Sequence, residues 1–157
     1  MRALTALPVL LMLLMLLTAD PAAAQTAVCR ITVTGLAFAP YRSLNASPTT
    51  NIGRLDVFCL PGVGSAAPPV VTLSAGGSGN YIDRTMTSGT SELHYNLYAD
   101  PNRRLVLGDG TAGTVSFPSP RTRAIGRATW PIFGVIPPGQ RVSAGNYSDT
   151  LLIQVEF

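Results

Sequence analysis

The spacing of chain-breaking residues is the feature that most constrains how this sequence can fold. From residue 25 onward, Gly, Pro, Ser and Thr interrupt the chain at intervals of roughly ten residues. No stretch between them carries an apolar residue at every third or fourth position over three turns, as an amphipathic helix would. Short segments instead alternate apolar and polar residues, which is typical of half-buried strands. The sequence therefore predicts an all-β protein.

These alternating segments predict which side chains face the core. The predicted inward sets, in chain order, are Cys29, Ile31 and Val33; Leu55, Val57 and Cys59 in the segment 53–59; Val71, Leu73 and Ala75; Leu93, Tyr95, Leu97 and Ala99; and Leu151, Ile153, Val155 and Phe157. Residues 100–118 predict short strands around turns, with Asp109-Gly110 as a favoured hairpin dipeptide. Residues 128–140 predict a further strand followed by a Pro-Pro-Gly turn. About seven short strands in one domain predict a β-sandwich.

The strand at the C-terminus alternates up to the final phenylalanine of the sequence. It would leave a long apolar edge, which is an aggregation hazard unless another strand covers it.

Residues 1–24 have the pattern of a secretory signal peptide. Arg2 precedes an apolar run that contains Pro8, and an alanine triplet at 22–24 offers a cleavage site. The run is shorter than the roughly 20 apolar residues of a membrane-spanning helix, which disfavours a membrane anchor. We therefore predict export and one mature domain over 25–157, with no membrane anchor after cleavage.

The two cysteines, Cys29 and Cys59, suggest one disulfide in an exported chain. A redox-active pair is the alternative, but the sequence has no C-x-x-C motif. Because both cysteines are predicted on inward strand faces, we expect a structural bridge between two strands.

The chain has few charged residues, and all of its basic residues are arginines. Without the predicted leader, ten arginines and seven acids remain, and the chain has no lysine. Apart from the adjacent Arg103 and Arg104, the arginines are scattered singly along the sequence, which indicates a solvated surface and predicts no nucleic-acid partner.

Catalytic and metal-binding patterns are missing from the sequence. His94 is the single histidine and is predicted on the polar face of a strand, and "GGSGN" at 76–80 does not complete a G-x-S-x-G elbow. One histidine and two paired cysteines cannot supply a zinc site. No second and third acid follow Asp109 at alternate positions, as a calcium-binding loop would require. We predict a protein that is not an enzyme and has no cofactor or metal.

Several stretches together carry a family resemblance. They are "LAFAPY" after the first cysteine, "DRTM" at 83–86, "YNLYAD" at 95–100, "PIFGVIPPGQ" at 131–140 and the terminal "AGNYSDTLLIQVEF". In combination they resemble the spore coat protein U domain family, which includes the Csu-type subunits of archaic chaperone-usher pili. The resemblance runs over nearly all of the chain after the predicted leader.

The resemblance implies an immunoglobulin-like sandwich that lacks its last strand. A periplasmic chaperone, and then a neighbouring subunit at the usher, would each fill the groove with a strand. The groove is expected to be lined by Leu151, Ile153, Val155 and Phe157, with Ile31 and Val33 on its other wall. The implied destination is the periplasm in transit and then a cell-surface fimbrium or the medium, with a role in adhesion or biofilm formation.

One departure from the family pattern concerns the donor strand. Polymerising members carry a strand-length extension before the first cysteine, whereas cleavage after Ala24 would leave only "QTAV", about 13 Å when extended. We therefore expect a subunit that accepts a strand without donating one, as at a pilus tip or an initiating position.

Two other functions remain open at this point. One is a secreted coat or matrix protein of the same family that does not polymerise. The other is a small secreted carbohydrate-binding sandwich, with an aromatic platform formed by Trp130, Tyr81, Tyr95 or Tyr98. For Trp130, core packing is the favoured interpretation because the apolar "PIFG" follows it.

Overall fold

The chain forms seven strands in a computed structural model that describes residues 29–59, 70–118 and 127–156, without the side chain of Cys59. The strands are β1 (Cys29–Thr34), β2 (Thr49–Cys59), β3 (Val70–Leu73), β4 (Arg84–Ser88), β5 (Ser91–Tyr98), β6 (Arg127–Ile136) and β7 (Ile153–Glu156). The described ranges contain no helix, and hence none able to span a membrane. The predicted signal peptide lies outside them. The all-β prediction is confirmed.

The strands form two antiparallel sheets. The larger sheet has the order β1-β2-β6-β5-β4, and the smaller one pairs β3 with β7. Thr87 of β4 exchanges two backbone hydrogen bonds with Ser148, at 2.9 and 3.1 Å, which ties the larger sheet to the segment that leads into β7. In the larger sheet β1 therefore forms one margin and β4 the other.

The core lies between the two sheets and consists of residues from both. Its buried members are Leu55, Val57, Val71, Leu73, Met86, Leu93, Tyr95, Leu97, Leu107, Phe117, Trp130, Ile132 and Ile136. The predicted inward positions on β3 and β5, and Leu55 and Val57 on β2, are thus confirmed. Trp130 is 7% exposed and its indole Nε1 donates to the Pro118 carbonyl at 2.8 Å, so it is a core residue and not a sugar platform. Tyr95, at 4% exposed, is excluded from such a platform for the same reason.

Residues 35–41 cross from β1 into the space between the sheets. Gly134 and Gly53 carry no side chain on the inner face, and the space is filled by Leu36 and Phe38. A Cβ at Gly134 would lie 2.7 Å from the Phe38 ring and 2.9 Å from Leu36. This glycine is therefore needed for close packing.

The structure differs from the sequence predictions at three places. Strand β4 was not predicted, because its sequence "RTMTS" contains one apolar residue and so shows no alternation. Strand β2 begins at Thr49, four residues before the predicted start at 53, because the inner face of that half is polar or glycine and its apolar filling comes from the crossing segment.

The third difference lies at Asp109-Gly110, where the predicted hairpin does not form. The chain turns there with Gly110 at φ 89°, but Leu107 and Val115 form a parallel bridge. A two-residue hairpin would have made the flanking strands antiparallel.

Candidate functional site

Strands β1 and β7 each lie at the end of a sheet. Among the described strands, β1 pairs with β2 alone and β7 pairs with β3 alone. No Cα atom of β1 lies within 8 Å of a Cα atom of β7. We call β1 and residues 151–156 together the open margin.

Ile31 and Val33 form the β1 wall of the open margin. They pair directly with Val57 and Leu55 of β2, and directly paired residues point to the same face of a sheet. Both therefore lie on the core side of the sheet, as predicted. Yet Ile31 is 44% and Val33 48% exposed, whereas Leu55 and Val57 are 0% and 2% exposed. The core side of β1 is thus left without a covering layer among the described residues.

Strand β7 and the two residues before it form the opposite wall. Leu151, Ile153 and Val155 are half-buried against the core, while Leu152, Gln154 and Glu156 are exposed. Ile153 and Val155 pair with Leu73 and Val71 of β3, which are almost completely buried. The predicted alternation is therefore present in this strand. Phe157, predicted as a further groove residue, lies outside the described part of the chain.

Asp149 anchors the start of this wall. Its carboxylate accepts hydrogen bonds from the Tyr95 hydroxyl at 2.6 Å, the Gly77 amide at 2.9 Å and its neighbour Thr150 at 2.8 Å. Burial, and secondly the hydrogen bond to Asp149, raise the pKa of Tyr95, which keeps this hydroxyl protonated as a donor. A Cβ at Gly76 would collide with the same carboxylate, so the glycine pair allows the close approach.

Tyr147 fixes the chain two residues earlier. Its hydroxyl lies 2.7 Å from the Ser91 hydroxyl and 2.8 Å from the Ser143 carbonyl oxygen. The stretch "GNYSDT" therefore positions the last strand through Tyr147 and Asp149, which both bond to side chains of β5.

A cavity of about 930 Å³ lies between residues 36–45 and 142–147. Its apolar lining includes Leu36, Phe38, Met86, Leu93, Ile136, Val142 and Tyr147. Leu36 follows the β1 wall and Tyr147 precedes the β7 wall in sequence.

The opposite margin contains a buried arginine that sequence reasoning did not identify. Arg84 is 0% exposed. Its Nη1 donates to Asn96 Oδ1 at 2.7 Å and to the Tyr81 carbonyl at 3.1 Å, and its Nη2 donates to the carbonyls of Ser74 at 3.0 Å and Leu107 at 2.7 Å. Burial lowers the pKa of this guanidinium. We call β4, with Arg84 and the Thr87 bonds to Ser148, the closed margin.

The cysteines and the single histidine have different surroundings. Cys29 and Cys59 stand directly opposite each other in the β1–β2 ladder.

His94 is on the polar side of β5 as predicted, with its Nδ1 2.7 Å from Asp83 Oδ1 and its side chain 48% exposed. Its backbone amide and carbonyl are bonded by the side-chain amide of Gln140 at 2.8 and 2.9 Å. Among the described residues no cluster of acids, histidines and cysteines could hold a metal ion.

A family model described as Spore Coat Protein U domain matches residues 14–154 of this chain. The chain is also similar to a chain in the crystal structure of the CsuC-CsuE chaperone-tip adhesion subunit pre-assembly complex from archaic chaperone-usher Csu pili of Acinetobacter baumannii. That similarity has a TM-score of 0.54 at 22% identity, covers 83% of this chain and 40% of that chain, and shows a shared fold. No curated protein matches the chain.

Proposed function

Because the chain belongs to the Spore Coat Protein U domain family, we propose that it is an exported structural subunit of a chaperone-usher pilus. In this proposal the open margin accepts a donor strand from another molecule. Leu151, Ile153, Val155 and Phe157 line one wall of the acceptor groove, and Ile31 and Val33 line the other. The role is assembly, and no catalytic step is assigned to the chain.

The observation that carries the proposal is the exposure of Ile31 and Val33 on the core side of their sheet. Each would be covered by a strand lying between β1 and β7. Completing the burial of a half-exposed aliphatic side chain is worth roughly 1 kcal/mol. The edge of β7 that pairs with no described strand would gain backbone hydrogen bonds at the same time, as in strand addition generally.

The expected partners are a periplasmic pilus chaperone, an usher and a neighbouring subunit that donates the strand. Support comes from the shared fold with a chain of a chaperone-subunit complex. The proposal also includes a tip or initiating position and a role in adhesion or biofilm formation.

Two further features belong to the proposal. Residues 1–24 act as a signal peptide, and the mature domain passes through the periplasm to the cell surface. In that oxidising compartment Cys29 and Cys59 form a disulfide. Support for the bridge comes from their direct pairing, since paired antiparallel Cα atoms lie about 4.5 to 5.5 Å apart, within the range that a disulfide spans.

Capture of periplasmic partners by the tagged mature chain tests the proposal. We expect a stoichiometric chaperone to co-purify, and the chain expressed alone to aggregate. Ile153→Asp places a charge in the apolar groove and should abolish capture. Gln154→Asp, on the exposed side of the same strand, is the matched control and should leave capture unchanged.

Other outcomes would favour the alternatives. An abundant, soluble monomer obtained without any chaperone would contradict an open groove and favour a non-polymerising coat protein. Equal capture by the Ile153 and Gln154 variants would show that this face of β7 does not contact the partner.

A further inference from the structure

The outer face of the larger sheet gathers three arginines that are far apart in the sequence. Arg30, Phe58 and Arg127 are direct neighbours across β1, β2 and β6, and Arg54 lies on the same face of β2. All three arginines are exposed, and Phe58 between two of them is 42% exposed. We call these four residues the arginine face.

The side chains of the described residues leave the three guanidinium groups unengaged. Within the described residues, none of them makes a side-chain hydrogen bond or a salt bridge. Asp56 is the one acid on β1, β2 and β6, and its carboxylate already accepts a 2.5 Å hydrogen bond from the Thr129 hydroxyl. The face therefore carries a net positive charge and unused hydrogen-bond donors.

An apolar row crosses the same face beside Arg54. Ile52 of β2, Phe133 of β6 and Tyr98 of β5 are direct cross-strand neighbours. Ile52 is 61% exposed, and the two aromatic residues are half-buried. The sheet thus presents aromatic and aliphatic surface next to the cations.

We propose that the arginine face and this apolar row bind an anionic polysaccharide. Carboxylate or sulfate groups would pair with the three guanidinium groups, which match such anions in a two-pronged geometry. The C–H faces of the sugar rings would pack on Phe58, Phe133 and Tyr98. An extended polymer suits an exposed sheet face because it needs no enclosed pocket.

The binding surface is separate from the open margin. Its side chains point away from the core, whereas Ile31 and Val33 on the same strands point towards it. Polysaccharide binding is therefore expected whether or not the groove is filled, and the inference does not depend on strand exchange.

Titration with polygalacturonate as the probe tests the inference, with the mature chain in whichever form is soluble, alone or with its chaperone. Binding should weaken as NaCl is raised, and neutral dextran should not bind. Replacing Arg30 and Arg127 together by Gln should weaken binding about ten-fold. The control pair Arg42→Gln and Arg141→Gln removes the same charge from two exposed loop positions and should change affinity less than two-fold.

Phe133→Thr tests the sugar-packing part and should weaken polygalacturonate binding while leaving poly-L-glutamate binding unchanged. Far-ultraviolet circular dichroism and chaperone capture verify that each variant is folded. Equal losses in the two arginine pairs, or no binding of polygalacturonate, would overturn the inference. Equal affinity for polygalacturonate, poly-L-glutamate and single-stranded DNA would also overturn it, because the face would then be a general polyanion surface.

Discussion

The closed and open margins differ in how far their polar and apolar groups find partners among the described residues. At the closed margin, Thr87 bonds to Ser148 and Arg84 binds carbonyls from three segments, so the backbone polar groups find partners within the chain. At the open margin, apolar side chains on the core side of β1 remain nearly half exposed, and β7 pairs with β3 alone among the described strands. The contacts of the closed margin form within the chain, whereas in the proposed function a strand of another molecule completes those of the open margin.

The closed margin should be the more sensitive to substitution in the isolated chain. Arg84→Met removes the donors of four hydrogen bonds and leaves buried carbonyl groups without partners, so we expect a loss of about 3 to 5 kcal/mol in the free energy of unfolding. Urea denaturation of the refolded mature chain measures it. The exposed Arg141→Met is the control and should stay within about 0.5 kcal/mol. A similar loss in both variants would contradict the anchoring role of Arg84.

Two positions on the core side of the larger sheet allow a direct comparison of a buried and a half-exposed side chain. Leu55→Ala creates a cavity in a filled core and should cost about 2 to 5 kcal/mol. Ile31→Ala, on the same face of the neighbouring strand β1, should cost less than about 1 kcal/mol in the free chain, because its side chain is half exposed. Its cost should rise when a chaperone is bound. Equal costs in the free chain would mean that the open margin is already covered.

The smallest expected effect on stability concerns the hydrogen bond between Tyr95 and Asp149, which anchors the segment before β7. This effect depends on pH. Tyr95→Phe removes the hydrogen bond to Asp149 and should cost about 1 kcal/mol at pH 8. The pKa of Tyr95 is raised in the folded chain, so its contribution is fully present below about pH 10 and is lost as the pH rises further. The difference in the free energy of unfolding between wild type and variant should therefore narrow by about 1 kcal/mol from pH 8 to pH 11.

Urea midpoints at the two pH values measure this change. Tyr81, whose pKa burial and Asp109 also raise, titrates in both proteins and cancels in the difference. A difference that does not narrow would show that Tyr95 ionises in the folded chain as readily as in the unfolded one.

Local alternation was sufficient to predict the strands whose core side is apolar. The described members of the inward sets on β2, β3, β5 and β7 agree with the burial of their side chains, because period-two patterning directly reports which face is covered. The same rule failed for β4. Its inward residues include Arg84, which is buried through hydrogen bonds that form only when β3, β5 and residue 107 come together.

Two further features could not be predicted from the local sequence, because they depend on which distant residues the strand pairing brings together. Leu36 and Phe38 fill the space above Gly53 and Gly134, a match between residues far apart in the chain. Likewise, Arg30, Arg54 and Arg127 occur singly in the sequence and were predicted as scattered surface charges. The pairing of three strands brings them to one face.

The half-exposed walls of the open margin have a thermodynamic consequence for any measurement on this protein. A strand that binds the folded chain and not the unfolded one shifts the folding equilibrium by mass action, by about 2.7 kcal/mol when its concentration is a hundred times its dissociation constant. The melting temperature of such a chain is then a property of the mixture and rises with the concentration of the strand. A single value measured on the purified chain would describe only the state in which Ile31 and Val33 still face water.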